Sequence, residues 1–378
     1  MSGNSTTKGE KLLKKQSRNL GIDLLRVISM LGVVVLHVMG HGGVLKLCQS
    51  PLKFSLAWFL EILAFPAVNC FVLISGYIGY RGEKVFPKLK NIVSLWFTVL
   101  FYSVTIGAVF MALGLREVSV AEVLKCLQPT TKGTYWFFSS YVGLFLLSPF
   151  INLLVHRSNL KQAVIFLLVF FTFSIVSVRQ DTFDLLDGYS VIWMVLVYAV
   201  GGIIKKYDFT KLFSRWVWLL VVAVAFLLTW ATKVGFYFAT DPFWQEKHGD
   251  LVNYTSPTVV LMAIGLLAVF STVRCSGGQK VLSFFSVSAF SVYLIHDNPF
   301  VRKTLVAEIR HIVAPLHNVW LALSVLGFVV EIFLACILID KVRIGLFRLL
   351  RVDPLCVRIE TLVKRAVNGL YQRVNKKL

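Results

Sequence analysis

Long apolar segments recur along the chain, and they constrain its fold more than any other feature. About ten of them are long enough to cross a bilayer as helices, at residues 20–40, 55–80, 89–114, 135–155, 161–179, 189–205, 214–238, 255–274, 281–302 and 318–341. With 57% of its residues hydrophobic, the chain carries more apolar surface than a soluble domain can bury. The sequence therefore predicts an all-α integral membrane protein with about ten transmembrane helices.

Lysine and arginine are divided unevenly between the two sides of the predicted bundle. The tails and loops on the side of the N-terminus hold 27 of these residues, against 11 on the opposite side. Five of the 27 precede the first segment, at Lys8, Lys11, Lys14, Lys15 and Arg18. Because cytoplasmic loops are enriched in basic residues, both termini are predicted to be cytoplasmic. The same distribution accounts for the net charge of +20 without a nucleic-acid partner.

The chain divides into three predicted parts. Residues 1–19 form a basic cytoplasmic tail, residues 20–345 a transmembrane domain, and residues 346–378 a second basic cytoplasmic tail. The second tail carries apolar residues at helical spacing, at Leu355, Ile359, Leu362, Val363, Ala366 and Leu370. A basic amphipathic helix of this kind lies on an anionic leaflet, so membrane lipids are predicted partners.

The six cysteines do not form a metal-binding pattern. No CxxC motif and no Cys/His pair at metal spacing occurs in the sequence, so no metal site is predicted. Cys48 and Cys126 fall in loops opposite the N-terminal side and could meet an oxidising compartment. Whether they form a disulfide is left open by the sequence.

The first apolar segment contains three ionisable residues, Asp23, Arg26 and His37. Arg26 and His37 project from the same helix face because they are close to three full turns apart, roughly 16 Å along the axis. Ionisable groups within a membrane are costly and usually belong to a pathway or a reaction. We therefore expect a ligand that extends along this helix. Asp23 is expected to pair with Arg26 three positions later, a structural role.

Two basic residues, Arg81 and Lys84, follow the second segment at its cytoplasmic mouth. They are candidates for binding an anionic cosubstrate that arrives from the cytoplasm. For any single lysine there, ordinary positive-inside charge is the better explanation.

Polar and aromatic residues at the ends of two later segments are candidates for binding a sugar. The fourth segment opens with Trp136, Ser139, Ser140 and Tyr141, although an interfacial aromatic belt would also contain such residues. The ninth segment ends at His296, followed by Asp297-Asn298-Pro299. Irregular backbone at membrane depth is tolerated where it lines a cavity or meets water, so His296 and Asn298 are candidate ligands, or interfacial polar residues.

These residues resemble the landmarks of a known family. The pattern Asp23-x-x-Arg26 followed after ten residues by His37, and the segments FVLISGY, WFFSSYVGLFLLSPFIN and FSVYLIH, resemble the membrane-bound acyltransferase 3 family of bacterial O-acyltransferases. The likeness covers about residues 20–345 in the expected order. The chain departs from the family where Leu24 and Val27 replace glycines that commonly flank the arginine.

The resemblance implies transfer of an acyl group, usually acetyl, in the bacterial cytoplasmic membrane. The donor would be cytoplasmic acetyl-CoA, a cosubstrate rather than a bound cofactor, and the acceptor a hydroxyl of an envelope glycan or lipid-linked sugar. Carried over to this sequence, His37 is the essential histidine and Arg26 the motif arginine, with Arg26, Arg81 and Lys84 facing the donor. His37 suits general-base catalysis, or could carry the acyl group itself.

Two other classes of protein stay open. A transporter or flippase for a sugar-lipid or polysaccharide would also have buried charge and a site at mid-membrane, but it is expected to show paired broken helices. Only the ninth segment is clearly interrupted in the sequence. A nonenzymatic scaffold or sensor would tolerate the loss of His37.

Overall fold

A computed structural model describes residues 19–273 and 277–375 of the chain. Across these residues the structure is helical, without β-strands. Its α-helices are α1 (Leu20–Gly40), α2 (Val44–Leu47), α3 (Pro51–Ala64), α4 (Ala67–Gly79), α5 (Leu89–Ala112), α6 (Val120–Leu127), α7 (Trp136–Arg157), α8 (Leu160–Val176), α9 (Val191–Lys206), α10 (Arg215–Tyr237), α11 (Pro242–Gln245), α12 (Pro257–Ser271), α13 (Gln279–His296), α14 (Pro299–Thr304), α15 (Ile309–Val313), α16 (Asn318–Leu349) and α17 (Val352–Asn375). Short 3-10 helices span Leu186–Gly188, Phe209–Lys211 and Val306–Glu308. The predicted all-α class is confirmed for the described residues.

Each predicted transmembrane segment coincides with a helix or a pair of helices. Within residues 19–273 and 277–375, six stretches are long and apolar enough to cross a membrane, namely Leu20–Gly40, Pro51–Gly79, Leu89–Ala112, Trp136–Arg157, Arg215–Tyr237 and Asn318–Leu349. The helices Leu160–Val176 and Pro257–Ser271 are apolar but shorter. The total of about ten spans and the side of each terminus stay predictions.

The outer surface of the bundle is strongly apolar. Leu168 on α8, Leu220 on α10 and Leu338 on α16 each expose more than 60% of their surface. Exposed apolar residues are common singly, but whole helix faces of them require an apolar surrounding. These faces therefore suit contact with lipid.

The second predicted segment is interrupted, which the sequence analysis did not foresee. Phe65 and Pro66 separate α3 from α4. Proline has no backbone N–H and its ring clashes with the preceding turn, so the helix breaks there. Among the described residues, apolar helices are thus interrupted both at Pro66 and at Asn298-Pro299, and the expectation of a single interruption was wrong.

Helix α1 lies at the centre of the bundle. It packs against α3, α4, α12, α13 and α16, and most of its side chains are buried. Its first turn is capped by the side chain of Asn19, which accepts a hydrogen bond from the backbone N–H of Ile22. The polar residues of α1 are therefore held inside the protein rather than against lipid.

Helices α4 and α9 pack closely through glycines. A Cβ added at Gly76 would lie 2.0 Å from the backbone oxygen of Tyr198, and one added at Gly201 would lie 2.3 Å from that of Leu73. Small residues allow such backbone approach between membrane helices. Gly76 therefore has a packing role, and the neighbouring Ser75 hydroxyl donates to the backbone oxygen of Phe71.

The C-terminal region forms two helices. Helix α16 continues past the predicted end of the tenth segment to Leu349, and α17 occupies Val352–Asn375 and packs against α5. The predicted tail helix is therefore present, whereas its place on a membrane surface and the three-part division stay predictions. Of the predicted N-terminal tail, residues 1–19, only Asn19 is described, and residues 1–18 lie outside the described residues.

The two cysteines considered for a disulfide are free and buried in the structure. Cys48 packs in the core beside α1, while Cys126 packs with Phe110 and Phe300. Burial raises the pKa of both thiols. The structure therefore does not join these two residues.

Candidate functional site

The central feature of the site is a contact between two histidines. His37 lies in the last turn of α1 and His296 is the last residue of α13. The Nδ1 atom of His37 lies 2.8 Å from Nε2 of His296, and Nδ1 of His296 lies 2.5 Å from the backbone oxygen of Val292. The sequence marked both histidines but did not show that they touch.

The hydrogen bonds determine the tautomers of the neutral pair. A carbonyl oxygen only accepts, so Nδ1 of His296 carries the proton that bonds to Val292. Nε2 of His296 is then an acceptor, and His37 donates to it from Nδ1. The remaining nitrogen of His37, Nε2, keeps its lone pair. His37 is thus oriented with a basic nitrogen available for a substrate.

A buried carboxylate adjoins this pair. Asp297 Oδ1 lies 3.7 Å from Nδ1 of His37, 3.8 Å from Nε2 of His41 and 3.2 Å from Nη1 of Arg302. Sequence reasoning did not select Asp297 or His41 as site residues. His41 lies four positions after His37 and hence on the same helix face, a spacing that would have identified it.

Three of these residues form a potential ligand set for a metal ion. Nδ1 or Nε2 of His37 and His41 and a carboxylate oxygen of Asp297 all lie within 4.8 Å of one another. The sequence analysis predicted no metal site from the cysteine pattern, and Asp297 is distant in the chain from both histidines. Two of the candidate ligand atoms have other partners, since Nδ1 of His37 contacts His296 and Oδ1 of Asp297 accepts from Arg302.

His37 also lines a narrow apolar passage beside α1. Its other walls include Met30, Phe71, Phe137 and Tyr293. The passage measures about 30 Å³, roughly enough for one or two water molecules. Trp136 lies on the same passage, so this predicted ligand is close to His37.

Tyr293 places a polar group in the passage. Its side chain is buried, and its ring centroid lies 6.3 Å from that of His37. The hydroxyl interacts with the backbone of Phe137, but it makes no hydrogen bond of normal geometry with the described residues. A buried hydroxyl in this state can donate to a ligand.

A cavity lies at the other end of α1, and we call it the Arg-end cavity. It measures about 340 Å³ and its lining includes Arg26, Arg81, Tyr141 and Ser148. Arg26 Nη1 lies 2.7 Å from Oδ1 of the buried Asp23, so the predicted pair is present. Lys84 is exposed and does not line this cavity.

A second cavity lies near His37, and we call it the His-end cavity. It measures about 360 Å³ and is lined partly by Asn298 and Arg302. The amide nitrogen of Asn298 donates to the Tyr135 hydroxyl at 2.9 Å, and its side-chain oxygen accepts from the Phe300 N–H at 3.0 Å. Asn298 therefore forms a fixed part of the cavity wall.

The four residues predicted at the start of α7 do not share one cavity. Trp136 lines the passage and Tyr141 lines the Arg-end cavity. The hydroxyl of Ser139 donates to the backbone oxygen of Thr130 at 2.9 Å, and that of Ser140 to Tyr189 at 3.3 Å. Their predicted binding of substrate stays a prediction, and the serines have backbone partners already.

The structure thus has a cavity toward each end of α1, and His37 lines a separate apolar passage. Comparison with known proteins gives one positive finding, a match of residues 19–340 to the family model described as an acyltransferase domain. No curated protein and no solved structure matches the chain. The family match covers most of the sequence and includes α1 with Arg26 and His37. The chain therefore belongs to the acyltransferase 3 family of membrane acyltransferases.

Proposed function

We propose that this multi-pass membrane acyltransferase moves an acetyl group from acetyl-CoA to a hydroxyl of an envelope glycan or lipid-linked sugar, in the bacterial cytoplasmic membrane. One observation carries the proposal. His37, on the same helix as Arg26, holds a basic nitrogen that is oriented by His296 at 2.8 Å, and it lines an apolar passage. The proposal assigns His37 as general base.

The Arg-end cavity is the proposed donor site. Coenzyme A is polyanionic at its nucleotide end, and Arg26 and Arg81 face this cavity. Guanidinium groups bind phosphates through paired hydrogen bonds. Lys84 does not line the cavity, so its proposed part in donor binding is limited to attraction from the entrance.

The acyl thioester must enter the apolar passage to reach His37. At about 30 Å³, the passage is smaller than an acyl group with its pantetheine arm, so it opens when the donor binds. Phe71 and Phe137 line it and pack with their ring centroids 6.3 Å apart. Rotation of these two side chains is the proposed opening step, since local closure and opening are common in enzymes.

Transfer then follows in two stages. Nε2 of His37 takes the proton of the acceptor hydroxyl while that oxygen forms a bond to the thioester carbonyl carbon. The resulting tetrahedral adduct breaks its carbon–sulfur bond, and the departing sulfur takes the proton from His37. In a variant of this route His37 itself carries the acyl group.

The adduct bears a negative charge on the former carbonyl oxygen, and Tyr293 is the proposed donor to it. The Tyr293 hydroxyl is buried on the same passage as His37 and makes no hydrogen bond of normal geometry within the described residues. Donors placed where charge develops stabilise the transition state more than the ground state. Tyr293 was not selected from the sequence as a site residue.

A transporter for a sugar-lipid is the second candidate, and one observation favours it. In the part of the chain that the structure describes, two apolar helices are interrupted, at Pro66 and at Asn298-Pro299, and paired broken helices are typical of transporters. The histidine pair has no evident use in that mechanism. A test of chemistry therefore separates the two functions.

The deciding experiment compares surface glycans by mass spectrometry. Cells would carry the wild-type gene, a deletion, His37→Ala or the control His248→Ala, at matched protein levels in the membrane. Loss of a base-labile acetyl mass in the deletion and in His37→Ala, with wild-type masses in His248→Ala, supports O-acetyl transfer. If the deletion lacks an entire glycan and His37→Ala restores it unaltered, the transporter function is favoured instead.

A further inference from the structure

The His-end cavity has a strong excess of positive charge. Its lining contains five basic side chains and one acidic side chain, Glu122. The basic side chains are Arg116, Lys125, Lys132, Arg302 and Lys303. The cavity is large enough for a sugar-sized ligand, within the usual range for small-molecule sites.

Only two of these five charges have an acidic partner. Lys125 pairs with Glu122 at 2.6 Å, and Arg302 with Asp297 at 3.2 Å. For the part of the chain that the structure describes, no acidic group lies within ion-pair distance of Arg116, Lys132 or Lys303. Three uncompensated charges around one cavity repel each other and favour an anion between them.

Arg116 is held in place beside this cavity. Its guanidinium lies 5.6 Å from the centroid of the Phe300 ring, within the range of a cation–π contact. The Nε atom is buried and has no hydrogen-bond partner among residues 19–273 and 277–375. A buried donor without a partner is costly, and an anion in the cavity would remove that cost.

The positive-inside rule does not explain this cluster of basic residues. The side of the bundle opposite the N-terminus carries 11 lysines and arginines, as expected for the side that the positive-inside rule depletes. Five of those 11 line this one cavity. The concentration of scarce charges at a single site indicates a ligand.

The cavity also adjoins the proposed reaction centre. Arg302 lines it and bonds to Asp297, which lies 3.7 Å from Nδ1 of His37. We propose that the His-end cavity binds an oxyanion of the acceptor, a carboxylate or phosphate on the sugar to be acylated or next to it, through Arg116, Lys132 and Lys303. This inference rests on the proposed function, since it names the acceptor's chemical class.

Calorimetry on the full chain in nanodiscs of zwitterionic phosphatidylcholine tests the proposal. The probes are trigalacturonate, its uncharged methyl ester and inorganic pyrophosphate. The test variant combines Arg116→Gln, Lys132→Gln and Lys303→Gln. The control combines Lys46→Gln, Lys53→Gln and Lys247→Gln, which removes the same charge from residues outside the cavity lining. Lys132→Gln and Lys303→Gln are also made singly, because both side chains are exposed and tolerate change.

We expect at least one anion to bind the wild type, and roughly tenfold weaker binding to the test variant. Binding to the control should equal that to the wild type. Added salt should weaken binding. Binding of trigalacturonate supports a carboxylate as the source of the oxyanion. Binding of pyrophosphate alone supports a phosphate.

Four outcomes would overturn the proposal. They are no binding of either anion, equal binding by the test variant, equal binding of the methyl ester, and anion binding by the control variant as weak as by the test variant. A parallel set of nanodiscs containing phosphatidylglycerol examines a lipid headgroup as occupant. If that lipid alone occupies the site, the proposal also fails.

The same assay separates this proposal from the proposed function. His37→Ala should bind the anions like the wild type, because His37 acts in the reaction rather than in the cavity. If the deletion loses no acetyl mass, the proposed function fails whatever the calorimetry shows, and if only His37→Ala still acetylates glycans, the assignment of His37 as general base fails. If acetylation depends on His37 while the test variant binds anions normally, only the present inference fails.

Discussion

The Arg-end and His-end cavities are similar in size, about 340 and about 360 Å³, but they are built from different parts of the chain. Long helices supply most of the Arg-end cavity, with Arg26 from α1 and Tyr141 from α7. The His-end cavity is formed largely by the short helices α6 and α14 and by their connections. A wall of long packed helices holds its shape, whereas connecting segments accept sequence change more readily.

This difference suggests separate duties for the two ends. The donor of an acyltransferase can be the same molecule for many enzymes, and a rigid helical wall suits it. The acceptor differs from one enzyme to another, and loops and short helices suit a specificity site. The apolar passage lined by His37 measures only about 30 Å³, which suits the exclusion of water from a bound thioester under the proposed function.

The largest effect is expected from Tyr293, the proposed hydrogen-bond donor to the oxyanion in the apolar passage. Tyr293→Phe removes one hydroxyl and leaves the packing of the ring, so kcat should fall by roughly 10²- to 10³-fold, as for loss of an oxyanion donor. Release of coenzyme A by the purified protein measures the change. Tyr371→Phe, on the exposed surface of α17, is the control. Unchanged kcat in Tyr293→Phe would remove Tyr293 from the mechanism.

A smaller loss is expected from His296. His296→Leu removes the acceptor for Nδ1 of His37, so the proton of His37 is no longer confined to that nitrogen. We expect kcat to fall by roughly 10- to 100-fold, which is part of the rate enhancement that a general base contributes. Donor KM should stay the same, because neither cavity is altered. His296→Gln keeps a side-chain oxygen and should retain more activity. Equal activity of Leu and Gln variants would contradict a role in orienting His37.

The sequence predicted the positions of most helices and the shared face of Arg26 and His37. It also predicted the Asp23–Arg26 pair, because both features depend on helical spacing within one element. The His37–His296 contact joins residues 259 positions apart. No local pattern contains such a contact.

Two further features of the site had weak or misleading signals. Pro66 stands within an apolar segment, where its effect on the helix could have been predicted. Trp136 and Tyr141 are five positions apart, and at about 100° per residue they point roughly 140° apart. The first turns of α7 therefore contribute to both the passage and the Arg-end cavity. The basic residues of the His-end cavity were treated only as evidence of topology, because the sequence does not show that they converge.

Removing one positive charge from each cavity tests directly whether the two cavities bind different substrates. Arg81→Gln should raise KM for the acyl-CoA roughly tenfold and leave acceptor KM unchanged, since a charged hydrogen bond is lost only in the donor cavity. Arg116→Gln should do the reverse. Lys84→Gln, at the entrance but outside the cavity lining, should raise the KM for acyl-CoA less than Arg81→Gln does and leave acceptor KM unchanged. Steady-state kinetics with each substrate varied in turn gives these values, and a rise in the wrong KM would show that the duties of the ends are misassigned.

The smallest effect is expected from removal of metal ions. This experiment tests whether His37, His41 and Asp297 hold a cation. His37, His41 and Asp297 lie close enough to ligate a cation. However, Asp297 is neutralised by Arg302 at 3.2 Å, and a cation on Nδ1 of His37 would replace its contact with His296. Acyl transfer should therefore be unchanged after incubation with EDTA and gel filtration. A loss that Zn²⁺ restores in the wild type but not in His41→Ala would assign the cluster to a metal, and would make His37 a ligand in place of a free base.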